Sequence, residues 1–78
     1  MRPIRITRSA RKHKLSNRRI REALATALFV RMDGADGDMA IYEGTDATGL
    51  EIELGLVRDD HGEGYAVVHA MPLEWRRL

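Results

Sequence analysis

Histidines and a dense run of cations are the residues of this chain that could move protons or hold anions. His13 sits inside Arg11-Lys12-His13-Lys14, and His69 lies in the β-like run at residues 65–71. Imidazole changes charge near neutral pH, so it is the natural side chain for a general base or acid. Arginine offers a planar fork to two phosphate oxygens and keeps its charge throughout. Arg8, Arg11, Lys12, Lys14, Arg18, Arg19 and Arg21 supply such cations close to His13. Each group also has a plain structural alternative. His13 can be a solvated helix residue, His69 a satisfied histidine on a half-buried strand, and Arg18 with Arg21 an ordinary solvated face. His61 falls in a turn and reads as exposed.

Other chemistries find no support in the spacing. Zero cysteines exclude a disulfide scaffold and a thiolate metal site. Asp33, Asp36 and Asp38 miss the acid positions of a calcium loop and read as turn residues, so no metal or other cofactor is expected. Glu51 and Glu53 share one strand face and read as solvent-facing. The glycines sit at turns rather than in a phosphate-cradling loop. Tyr42, Tyr65, Phe29 and Trp75 are too scattered for a stacking platform of the four-stranded RNA-binding kind.

The charge is distributed unevenly. Residues 1–21 carry nine Lys or Arg and no acid, whereas residues 22–78 carry four against twelve Asp or Glu. The net charge of +1 thus conceals a basic segment joined to an acidic remainder. A face of one sign suits phosphates, because a solvated face ordinarily mixes signs. No run approaches the length of a membrane span, and no apolar stretch follows the basic segment as a secretory signal requires. The expectation is an intracellular, complete chain in a reducing cytoplasm, with no membrane contact.

With 78 residues the chain has room for one small core and a single domain, residues 1–78. Ile4 and Ile6 alternate with Arg5 as a short strand. Thr7 or Ser9 can cap a short helix at residues 10–14, and Ser16 or Asn17 a longer one. Ile20, Ala23, Leu24, Ala27 and Leu28 recur as one helical stripe, and Asp33 to Asp38 ends the pattern with turn residues. Strands follow at residues 39–43, 50–57 and 65–71. The predicted fold class is α+β in the order β-α-α-β-β-β. The last three strands form an antiparallel meander, and two helices pack on one face of the sheet.

Lys12-His13, Lys14-Leu15, the cap Ser16 and the helix from Ile20 to Leu28 resemble the start of small bacterial toxins of the BrnT type. The runs at residues 49–57 and 65–71, with Val67-Val68 at the centre of the second, resemble the sheet of that family and of the wider RelE superfamily. A typical member continues into a further strand ending in a late arginine; the corresponding stretch here is residues 71–78, where Arg76 and Arg77 are the candidates. The resemblance implies the toxin of a type II toxin-antitoxin system, a metal-independent endoribonuclease that restrains growth. It also implies RNA, on or off the ribosome, and a cognate antitoxin protein as partners. Such cleavage needs a base for the 2′-hydroxyl proton, an acid for the leaving 5′-oxygen and cations for the crowded phosphate. His13, Lys12, Arg11 and His69 are then the catalytic candidates. Arg8, Lys14, Arg18, Arg19, Arg21, Arg76 and Arg77 are the candidates for holding RNA. Two other readings stay open: a non-catalytic binding module on the same fold, and a small structural protein that gains core by forming a homo-oligomer.

Overall fold

The computed structural model describes residues 4–60 and 62–77, without the side chain of Arg77; His61 therefore lies outside the described residues. The elements run β1 (Ile4–Ile6), a 3₁₀ turn (Ser9–Arg11), α1 (Asn17–Thr26), β2 (Leu28–Asp33), β3 (Met39–Thr45), β4 (Glu51–Arg58), β5 (Tyr65–Pro72) and a closing 3₁₀ helix (Leu73–Arg77). Five strands form one mixed sheet in the order β1-β5-β4-β3-β2. β2 to β5 are an antiparallel meander, and β1 lies parallel to β5 at the far edge. The α+β class and the three late strands agree with the sequence reading.

The expectation of two helices on one face is corrected: α1 is the one α-helix among the described residues. The first expected helix shrinks to a single turn. Thr7 Oγ1 does accept the Ala10 amide at 3.4 Å. However, Lys14 adopts a left-handed φ of 66°, which costs a residue with a Cβ about 1 kcal/mol and breaks the helical path. That turn drops Leu15 into the core. The second helix begins where expected, with Ser16 Oγ accepting the Arg19 amide at 3.2 Å. It stops early, at Thr26, whose hydroxyl donates to the Ala23 and Thr45 carbonyls and accepts from the Thr45 amide. Residues 28–33, read as the end of the helix, form the edge strand β2. Phe29 and Val30 favour a pleated strand, and the turn at residues 34–38 folds them back onto β3. Leu28, counted in the helical stripe, is 75% exposed.

α1 lies across β3 and β4. Ile20 and Ala23 of the helix meet Ile52, Leu54 and Leu56 of β4 and Val67 and Ala70 of β5, with Ala10 and Leu15 closing the core. The approach is close because Gly44 has no side chain: a Cβ there would sit 2.0 Å from the Ala23 carbonyl oxygen. The opposite sheet face carries Met39, Ile41, Glu53, Gly55, His69 and Met71 at the corresponding register positions.

Candidate functional site

Two irregularities build this second face. On β2, Phe29 pairs with Tyr42 but Arg31 with Ile41, leaving Val30 as an extra residue. On β5, Val67 pairs with Leu56 but His69 with Gly55, leaving Val68 extra. A bulge shifts the following side chains to the other face. Val67 therefore points into the core while His69 points away from α1, although the plain alternation puts both on one side. Arg31 and His69 end in one register row, Arg31–Ile41–Gly55–His69. Gly55 leaves room in that row for Met39, whose Sδ would lie 2.7 Å from a Cβ at this position.

Glu53 lies at the centre of the face and is 1% exposed, contrary to its reading as solvent-facing. A buried carboxylate is costly unless it is paired. Its Oε2 is 2.9 Å from His69 Nε2. Its Oε1 receives both Nε and Nη2 of Arg76 at 2.7 Å. Arg31 Nη2 stands 3.7 Å from the same oxygen and 3.6 Å from Asp33. Burial pushes the Glu53 pKa up, but the hydrogen bonds and charges of His69 and Arg76 outweigh it and hold the carboxyl below the ordinary glutamate value. An ionised carboxylate only accepts hydrogen bonds, so His69 Nε2 is the donor, and in the neutral ring Nδ1 is then an acceptor.

Glu53, His69, Arg76 and Lys12 share a shallow depression over Ile41 and Met39. His13 stands beside it, edge-to-face with His69 at 6.0 Å between ring centroids and with Trp75 at 5.5 Å. Four of the sequence candidates, Lys12, His13, His69 and Arg76, thus come together. No family model, no curated protein and no solved structure matches the chain. What the depression does must be read from its own chemistry: an acceptor nitrogen on an oriented imidazole, a second imidazole nearby, and cations at the rim.

The other candidates divide. Arg8, Arg11 and Lys14 are exposed on the segment that carries Lys12 and His13, and they have no acidic partner among the described residues. Arg18, Arg19 and Arg21 ride on α1, across the sheet from His69. Arg18 pairs with Glu22 at 3.8 Å, Arg19 approaches Asp46 to 3.6 Å, and Arg21 donates to the Ile4 carbonyl at 3.4 Å. Acids therefore engage Arg18 and Arg19 of the helix, whereas Arg8, Arg11 and Lys14 stay open. The Arg77 side chain lies outside the described residues.

Sequence reasoning missed Glu53, Arg31 and Trp75. A signal for Glu53 existed: Met39 and Ile41 on one neighbouring strand and Met71 on the other make its face apolar as well. Among the described residues, no group of three or more His, Cys, Asp or Glu could hold a metal ion. Nor is any helix among them long and apolar enough to cross a membrane.

Proposed function

We propose that the depression around Glu53 binds an RNA phosphodiester and cleaves it without metal, in keeping with the resemblance to BrnT- and RelE-type toxins. The observation that carries the reading is the 2.9 Å bond between buried Glu53 and His69. Glu53 fixes the tautomer that leaves Nδ1 of His69 open and stabilises the imidazolium formed when Nδ1 takes a proton. The 2′-hydroxyl loses its proton to Nδ1 and its oxygen attacks phosphorus. The bond from phosphorus to the 5′-oxygen breaks, leaving a 2′,3′-cyclic phosphate. His13, as imidazolium, gives the departing 5′-oxygen its proton. Lys12 and Arg76 face the phosphate oxygens on which charge gathers, and Arg8, Arg11 and Lys14 extend the positive surface along the strand.

The experiment is incubation of purified protein with labelled single-stranded RNA in excess chelator, with the product ends analysed. The expected products are cyclic phosphate ends, lost in His69→Ala and Glu53→Gln. Intact RNA at high protein concentration, with normal growth on induced expression, overturns the proposal. The second reading, a non-catalytic binding module, is favoured by the completeness of the Glu53 network: both of its oxygens are already bonded. It expects binding to RNA or to a protein without new ends.

A further inference from the structure

Trp75 is the single tryptophan of the chain, and it is 44% exposed. It takes no part in the hydrophobic core. About half of the residue is covered, and the rest is open to a ligand. Trp75 is nevertheless held in place. The next residue, Arg76, is bonded to buried Glu53, which anchors the closing 3₁₀ helix. The ring meets His13 edge-to-face, with an interplanar angle of 86°. A contact of this kind occupies at most one face of the indole. His13 in turn meets His69 at 87°, so three rings lead from the floor of the depression outward.

We propose that Trp75, braced by His13, is a stacking subsite for an unpaired nucleobase of single-stranded RNA whose phosphate lies in the Glu53 depression. The inference rests on reading that depression as an RNA site. The chemistry of the surroundings selects this ligand. Glu53 and Asp33 in the depression are met by Arg76 and Arg31, which leaves Lys12, with exposed Arg8, Arg11 and Lys14 on the same segment, as a positive surplus that disfavours a cationic ring and favours a ring carried on an anion. A duplex hides the faces of its bases inside the stack, so only an unpaired base reaches the ring. A row of rigid, pre-placed rings spends little entropy on binding.

The test uses the fluorescence of Trp75, whose signal no other tryptophan shares. The whole protein is titrated with a 2′-O-methyl hexanucleotide, which cannot be cleaved, with the same backbone lacking bases, and with a short RNA duplex. The expected result is saturable quenching by the hexanucleotide and about tenfold weaker binding of the abasic strand and the duplex. The variants lack that fluorophore, so their affinities, and that of the abasic strand, are read by the anisotropy of end-labelled strands: Trp75→Ala should lose about that tenfold for the base-bearing strand and nothing for the abasic one, and Trp75→Phe should keep most of it. Equal affinity for the two strands, or an unaltered Trp75→Ala, overturns the subsite, as does quenching by an acidic peptide but by neither strand. Failure of the two proposals is distinguishable. Cleavage without quenching removes the stacking subsite and keeps the nuclease, whereas quenching without cleavage keeps the subsite and removes the nuclease.

Discussion

Glu53→Gln changes the cluster least in shape and most in chemistry. The amide oxygen can still accept from Arg76. The amide nitrogen then faces His69 Nε2, now 2.9 Å from Glu53 Oε2, and two N–H groups cannot bond each other. His69 resolves this by moving its proton to Nδ1 and accepting at Nε2. The nitrogen open to a substrate is then already protonated and cannot act as a base. Cleavage should fall by about 10²- to 10⁴-fold, the usual range for losing positioned proton transfer.

Stability falls for a separate reason. Charge-assisted bonds contribute about 1.5–3 kcal/mol, and removing one partner of a buried pair costs up to about 3–5 kcal/mol. The side chains of His69 and Arg76 are 25% and 48% exposed, so water recovers part of that. The expected loss is about 2 kcal/mol, or roughly 8–16 °C in Tm for a domain of this size. Thermal unfolding by circular dichroism and a single-turnover cleavage assay measure the two effects. A variant that melts with the parent and cleaves with it refutes the argument. One that melts early but cleaves at the parental rate reduces Glu53 to a structural role.

Other outcomes follow from the same geometry. Gly44→Ala places a Cβ against the Ala23 backbone, so α1 must lift from the sheet. The expected loss is about 3 kcal/mol in urea titration, against about 1 kcal/mol for Gly49→Ala, which has a φ of 87° and open space around it. Ser16→Ala removes the acceptor for the Arg19 amide and should cost about 1 kcal/mol by the same titration. Asp46 is held below the ordinary aspartate value by the Thr48 hydroxyl and the Leu50 and Thr48 amides, against the upward push of burial, and Glu53 is also lowered. A lowered carboxylate stabilises the fold above its unfolded pKa, near about 4, and that stability drains as pH falls through the folded value. Urea midpoints should therefore hold from pH 7 to about 5 and decline below about 4, and a flat profile would contradict both assignments. Lys12→Ala should flatten the salt dependence of RNA binding, while Arg18→Ala, across the sheet, should leave it unchanged.

Periodicity and capping made much of the frame legible. Ser16 announced the start of α1, and Leu50, Ile52, Leu54 and Leu56 marked a strand because one of its faces is core. The error at residues 28–33 has a definite cause. Ala27 and Leu28 continue the helical spacing, but local pattern cannot register that Thr26 already bonds both backbone groups of Thr45 on a distant strand. The basic segment was visible as composition, whereas its division was not. Whether an arginine meets an acid depends on which acid the fold brings near, as Asp46 shows for Arg19.

The site itself hid where the periods break. Alternation along residues 65–71 groups His69 with Tyr65 and Val67, and that grouping would send the imidazole into the core. One extra residue, Val68, reverses it. A second, Val30, does the same for Arg31 two strands beyond Glu53. Each bulge also keeps apolar residues on the α1 side of the sheet, Ala70 after Val67 and Met32 after Phe29. Both deliver a polar side chain to the same row beside Glu53, and each leaves an unpaired residue in the ladder. The two bulges thus bring one imidazole and one guanidinium next to a buried carboxylate. This is why the Glu53 face, rather than the arginine-rich helix that dominates the composition, is where the chemistry is to be sought.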